Sequence, residues 1–277
     1  MIRRLKAEEI PAAAAYAWTL CGDLKMRSYP LYSTQAGLLR EFEKCAGKDG
    51  CVLLGYFKEG RLAGVLSGFA IPRDHYLQTT GLYADSGAVV NALLSEIERG
   101  HEALEKYVGV TEQNTAAAGV LAARGYLIAD TGREYRVPVR NFHPAGDGSA
   151  VIRISRENWR CYAKIHDARF PDIYWTSARL LEDLDHWIAL LLPGDVEACL
   201  FAKTRGKCGN RDLTEIFGLS AGDNVSALSL LAGLSREMAG DSAVQEVMHL
   251  YGGEEWEERV LTDSGFTLRS GYQCWKK

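Results

Sequence analysis

KYVGVTEQNTAAAGVLAARGY, residues 106–126, decides the reading of this chain. Residues 106–111 read as a strand and Asn114 to Arg124 as a helix. Its last residues recur, because VLAARGY (120–126) matches VLTDSGF (260–266). Nearer the start, YPLYSTQAGLLREF (29–42) matches FPDIYWTSARLLEDL (170–184). Thr34, Leu38 and Leu39 fall on Thr176, Leu180 and Leu181. Between these anchors VLLGYFKEGRLAGVL (52–66) lies over IALLLPGDVEACL (188–200). The offset stays near about 140 residues, half the chain, so these are two domain-sized copies rather than short solenoid repeats.

The 277 residues are enough for two domains that each bury a core. Hydrophobic residues make up 47% and charged residues 25%, the profile of a globular chain. A net charge of −4 offers no bulk attraction to nucleic acid or acidic membranes. Seven Cys stand without CxxC or Cys/His metal spacing, which predicts reduced thiols, a cytoplasmic location and no metal. MIRRLKAEEI has no apolar segment after its basic residues, so it does not read as a secretory signal. AAAAYAW and IALLL are too short to span a bilayer, so no membrane role is expected.

Periodicity and turn residues give each copy the order β-α-α-β-β-β-α-β-α-β-β. Glu59-Gly60 signals a hairpin, and Ser33 or Thr34 is expected to cap the second helix. NFHPAGDGSA, residues 141–150, is polar and rich in Gly and Pro and reads as a linker. The expected domains are residues 1–140 and 151–277.

That order, together with Asn114, Ala117, Gly125 and Tyr126 at their spacing, resembles the GNAT superfamily, the general-control-type N-acetyltransferases. The resemblance implies an α/β (α+β) fold: two tandem GNAT-like domains, each a mixed twisted sheet flanked by helices. It is strong in the first copy and moderate in the second. It also implies acetyl-CoA as acyl donor, with the diphosphate at the N-terminus of the helix after the fourth strand. There the copies offer Asp85-Ser86-Gly87-Ala88 and Gly222-Asp223-Asn224-Val225, and neither carries the full family pattern. Asp85 would repel a diphosphate. The family's usual Tyr acid, seven residues after the Asn, is replaced by Leu121 in one copy and Leu261 in the other. In the second copy Glu254 takes the Asn position within the acidic run GGEEWEER (252–259).

The resemblance therefore puts the better donor site in the first copy, with Leu82, Tyr83, Ser86, Gly87, Ala88 and Asn114 as its residues. Backbone N–H groups near Leu82-Tyr83, or near Phe217-Gly218 in the second copy, would hold the carbonyl oxygen. Glu215 lies where the family often places a carboxylate base. It also fits an exposed strand Glu in the alternation L-T-E-I-F, the more ordinary use of such a residue. Tyr29, Tyr32, Tyr174 and Trp175 would line the acceptor site, where aromatic rims suit an amine by cation–π attraction or an apolar group by burial. They equally fit rings that cover the core.

The expected activity is acetyl transfer from acetyl-CoA to an unidentified small amine. The alternatives are a catalytically degenerate GNAT-fold protein that binds a small ligand or protein partner, and a chain with one catalytic half. No nucleic acid is expected as partner, and neither the acceptor nor the oligomeric state is legible.

Overall fold

The computed structural model describes residues 1–205, 213–241, 244–251 and 255–277. The chain begins with β1 (Ile2–Arg4), α1 (Ile10–Cys21), α2 (Gln35–Ala46), β2 (Cys51–Lys58), β3 (Arg61–Ile71) and β4 (Tyr76–Ala84). α3 (Gly87–Gly100), β5 (Glu105–Thr111), α4 (Thr115–Ala123) and β6 (Leu127–Pro138) follow. The order then repeats with β7 (Ile152–Arg153), α5 (Trp159–Arg169), α6 (Ser177–Glu182), β8 (Ile188–Leu191), β9 (Cys199–Arg205) and β10 (Leu213–Ser220). It ends with α7 (Asn224–Met238), β11 (Glu246–Tyr251), α8 (Glu255–Asp263) and β12 (Thr267–Lys276). β6 and β12 are single strands where two short ones were expected in each copy. Among the described residues no helix is long and apolar enough to cross a membrane.

Local chemistry sets these boundaries. The hairpin tip Glu59-Gly60 has φ of 51° and 78°, the left-handed pair that a tight turn between twisted strands needs. Thr34 and Thr176 cap the equivalent helices α2 and α6, accepting the N–H of Gly37 and of Arg179. α4 and α8 stop at Gly125 and Gly265, whose φ of 80° and 90° no β-branched residue would accept. Tyr126 N–H then reaches back to Leu121 O, and Phe266 N–H to Leu261 O, both at 3.0 Å.

The chain forms two compact units, Met1–Gly132 with Ser270–Lys277, and Arg133–Arg269. In the first, β1, β2, β3 and β4 pair antiparallel in sequence order, and β4 lies parallel to β5. The last strand of this sheet is the end of the chain: Tyr272–Lys276 of β12 runs antiparallel to β5. In the second unit β7, β8, β9 and β10 pair antiparallel and β10 lies parallel to β11. Its last strand comes from mid-chain, since Arg133–Pro138 of β6 pairs with β11. Each sheet thus takes its final strand from the other half of the sequence. Ion pairs reinforce both strands: Lys276 Nζ with Glu105 at 2.9 Å, and buried Arg136 with Glu134 at 2.6 Å and Glu246 at 3.1 Å.

Helices cover both faces of each sheet. In the first unit α1 and α2 close over Phe42, Leu53, Val65 and Tyr83, and α3 and α4 over Leu66, Leu82, Leu94 and Val108. In the second, α5 and α6 cover Tyr162, Trp187 and Phe201, and α7 and α8 cover Leu200, Ile216 and Leu230. The polar stretch 141–150 lies inside the second unit, not at its edge. Gly146 and Gly148 press on the α7 backbone so closely that a Cβ would come within 2.2 Å and 2.8 Å of it. Arg236 fastens the stretch by donating to the carbonyls of Gly148 and Val151. Its glycines serve close packing here as well as bending, and composition alone does not separate the two uses.

Candidate active site

A parallel strand pair that parts along its length exposes main-chain N–H and C=O groups, and both units contain such a pair. β4 and β5 pair only from Tyr76↔Glu105 to Gln78↔Tyr107. Beyond that β4 stays with β3, which shows a register shift between Ser67 and Gly68, and β5 stays with β12. β10 and β11 pair from Leu213↔Glu246 to Ile216↔His249 and then separate. The matching irregularity in β10 lies between Ile216 and Gly218.

In the first unit the gap is filled by the chain itself. Ser28 bridges to Val110, and Tyr29 N–H donates to Gly109 O at 3.3 Å. Leu82 N–H, expected to be a donor for a substrate oxygen, donates to Ser28 Oγ at 2.7 Å. Tyr32 O–H donates to Thr80 O at 3.1 Å, and the Tyr29 ring lies 4.1 Å from that of Tyr272. Of the two rings expected to face an acceptor, Tyr32 is thus tied to the β4 backbone and Tyr29 packs over Gly109 and Tyr272. Tyr83 is wholly enclosed among Phe42 and its neighbours, and burial pushes its phenol well above the ordinary value. Asn114 is buried with both ends of its amide in use: Oδ1 accepts Ala117 N–H at 3.1 Å, and Nδ2 donates to Arg27 O at 3.2 Å. Its place after the strand serves to start α4 and to hold the segment that fills the gap.

The equivalent residues of the second unit behave otherwise. Arg169 and Phe170 stand where Ser28 and Tyr29 stand in the repeat. Phe170 N–H closes α5 by bonding His166 O at 2.8 Å, and its ring packs over Gly218. Arg169 Nε donates to Ser220 Oγ at 3.0 Å. Among the described residues nothing bridges β10 and β11 past Ile216 as Ser28 and Tyr29 bridge β4 and β5.

At the head of the gap, His249 of β11 is buried with an acceptor on each ring nitrogen. Nδ1–H donates to Ile216 O at 2.9 Å and Nε2–H to Glu257 of α8 at 2.5 Å. A carbonyl at one nitrogen and a carboxylate at the other favour the doubly protonated ring. Burial works against that charge, but the Glu257 carboxylate, the Ile216 carbonyl and the Glu215 carboxylate together outweigh it and the His249 pKa is raised. The sequence offered no spacing signal for this pair, since the first unit has Val108 at the same place in β5.

The helix N-termini differ less. Ser86 starts α3 without a side-chain cap, and its hydroxyl donates to Asp85 at 3.1 Å. Gly87 faces Val120, and Ala88 is exposed. Asp223 caps α7 by accepting Ser226 N–H at 2.7 Å, and Asp195 receives Gly222 N–H at 3.4 Å. Carboxylates thus stand at this turn in both units, and they weaken the pull of the helix dipole on a diphosphate. Glu254 lies outside the described residues.

Glu215 is buried at 6% exposure, so it is not the exposed strand residue that alternation alone would permit. Its cross-strand partner is Lys203, on the face covered by α5 and α6. Lys203 Nζ lies 4.7 Å from the Trp187 ring and 5.5 Å from the Trp175 ring. Trp175 meets Trp187 at 4.9 Å and Phe217 at 6.1 Å, edge to face. Tyr174 stands farther out, 37% exposed, 5.0 Å from Trp175 and with the Arg179 guanidinium 4.0 Å above it. The structure thus gathers Glu215, Trp175 and Tyr174 into one unit, and Leu82, Asn114, Tyr29 and Tyr32 into the other. Ser28, Lys203 and His249 were missed by the sequence reading.

A GCN5-related N-acetyltransferase from Sphaerobacter thermophilus superposes with a TM-score of 0.67 over 100% of this chain and 95% of its own, at 16% identity. The chain has the GNAT fold. The tandem GNAT protein from the clavulanic acid biosynthesis pathway superposes with a TM-score of 0.62 over 100% of this chain and 98% of its own, at 15% identity. A GCN5-related N-acetyltransferase from Kribbella flavida gives 0.56 over 78% and 88%, at 16% identity. The two-domain GNAT arrangement is thus shared over the full length. No family model and no curated protein matches the sequence.

Proposed function

We propose that this tandem GNAT protein transfers an acetyl group from acetyl-CoA to a small amine, and that the second unit alone carries the reaction. The observation that supports this most is the fate of one N–H group. Leu82 N–H is spent on Ser28, while the corresponding stretch of β10 parts from β11 with no described residue between them. The thioester arm of the donor fits the second gap and not the first. Its diphosphate would meet the first-turn N–H groups of Asn224 and Val225, with Asp195 and Asp223 opposing it.

Bound acetyl-CoA supplies an activated thioester, at which a C–N bond forms as the C–S bond breaks. Glu215 takes the amine proton, a role that suits a carboxylate screened from bulk water. Main-chain N–H groups of β10 near Phe217-Gly218 face the developing oxyanion. Leu261 cannot give a proton to the leaving thiolate, so water supplies it. A degenerate, ligand-binding GNAT protein is the rival reading, favoured by Leu261 and by the carboxylates at α7. The test is release of free CoA thiol from acetyl-CoA with a panel of amines. Saturable turnover that Glu215→Gln abolishes supports the proposal, and acetyl-CoA binding without turnover of any amine favours the rival.

A further inference from the structure

His166, on the last turn of α5, is wholly buried. Its ring centre lies 5.5 Å from that of Tyr162, 5.4 Å from Phe170 and 4.9 Å from Phe201. Nδ1 meets Asp167 at 3.2 Å, and among the described residues Nε2 meets no hydrogen-bond partner. A carboxylate on one nitrogen and apolar rings around the other favour the neutral tautomer with its proton on Nδ1. Asp167 also receives Ser177 N–H at 3.2 Å and Ser177 O–H at 2.7 Å, at the start of α6. These two neighbours therefore tie both ends of loop 170–175. His166 backs the ring of Phe170, and Asp167 holds the helix that begins after Trp175. The loop in turn lies on β10, with Phe170 over Gly218 and Trp175 6.1 Å from Phe217. In the first unit exposed Lys25 stands at the place of His166, and α1 has already ended at Cys21.

We infer that the His166–Asp167 pair is an acid-sensitive latch, which holds loop 170–175 on the sheet near neutrality and releases it in acid. A proton on Nε2 would place a charge and an unmet N–H donor among the rings, which buried apolar surroundings resist. Asp167 favours that proton, but burial outweighs it and the His166 pKa is lowered. The other titratable groups on the neighbouring elements are neutral or engaged elsewhere. Burial pushes the Tyr162 phenol well above its ordinary value and the Cys199 thiol of β9 up to about 12. Arg169 turns to Ser220 and Glu197, Lys203 of β9 to Asp183, and the Glu215 carboxylate of β10 acts on His249. An open loop returns the His166 ring to water and to its ordinary pKa. The closed form therefore keeps its full advantage above the ordinary histidine value and loses it as pH falls toward the lowered one. His249 has the opposite sign, so the two histidines are separable by the direction of their pH dependence. The latch stands apart from the acetyl-transfer reading, because the state of the loop can be followed without any substrate.

Hydrogen exchange of the full chain reads the loop directly, from about pH 7.5 to about pH 5 and corrected for the intrinsic effect of pH on amide exchange. Amides of residues 168–177 are expected to exchange about threefold or more faster in acid, while those of α7 hold. His166→Leu should abolish that rise. Asp167→Asn, which keeps an acceptor for Ser177 but removes the charge that favours the proton, should carry the rise to lower pH. The melting temperature of each variant near neutrality shows whether it still folds. A nitrogen-resolved histidine spectrum of the wild type needs no variant. In it His166 should keep one proton, on Nδ1, at pH values where exposed histidines are already charged. Titration of His166 together with the exposed histidines, an acid rise that persists in His166→Leu, or exchange at 168–177 that ignores pH would each overturn the inference.

Discussion

Ser28-Tyr29-Pro30 and Arg169-Phe170-Pro171 hold the same place in the repeat, and their backbones part company at one bond. Tyr29 N–H crosses to Gly109 on β5, whereas Phe170 N–H stays with His166 on its own helix. A small hydroxyl at Ser28 can sit between two strands and accept Leu82 N–H. The guanidinium of Arg169 cannot be buried there and turns to Ser220 and Glu197. One fold can therefore fill the gap between its parallel strands from its own loop. The closed unit then needs no substrate to satisfy its backbone.

Changing the base gives the largest expected difference between the units. Glu215→Gln should lower kcat about 100- to 10,000-fold with little change in melting temperature. Gln78, its exposed counterpart in the first unit, should tolerate Ala with no change in rate. Steady-state kinetics on both variants checks this, and equal effects would erase the distinction.

His249→Val comes next, because it installs the first unit's residue and leaves Glu257 buried without its cation. A loss of about 3–5 kcal/mol is expected in denaturant melts, mostly recovered by adding Glu257→Leu. The same pair gives a pH dependence. His249 has a raised pKa, so its contribution is complete below the ordinary histidine value and fades as pH rises through the raised one. The melting temperature should fall as pH rises above the ordinary histidine value in wild type and lose that slope in the double variant.

Ser28→Ala should cost about 1–3 kcal/mol by stranding the buried Leu82 N–H. Faster hydrogen exchange at Leu82 is expected, and acetyl transfer should be unchanged. Asn114→Ala should cost about 1 kcal/mol as a lost helix cap and leave acetyl-CoA affinity intact. Loss of affinity in either variant would return the donor site to the first unit.

These contrasts also mark what the sequence can carry. The repeat, the Asn114 helix and the glycine stops at Gly125 and Gly265 were legible because caps and turns are written in neighbouring residues. The ownership of Arg133–Pro138 and Tyr272–Lys276 was not, since strand pairing joins residues far apart and leaves no local trace. Glu215 was placed on the right strand, but its burial depends on the rings that α5 and α6 bring over it. Ser28 drew no notice because one hydroxyl in a loop looks like any other until its partner is known.

Calorimetric titration of acetyl-CoA into matched variants tests the central claim most directly. Ala88 and Val225 are both exposed near the start of the equivalent helices α3 and α7, so a glutamate at either adds the same charge without disturbing a core. One site per chain is expected, unchanged in Ala88→Glu and weakened about tenfold or more in Val225→Glu. Two sites per chain, or a single site that responds to Ala88→Glu instead, would contradict the account.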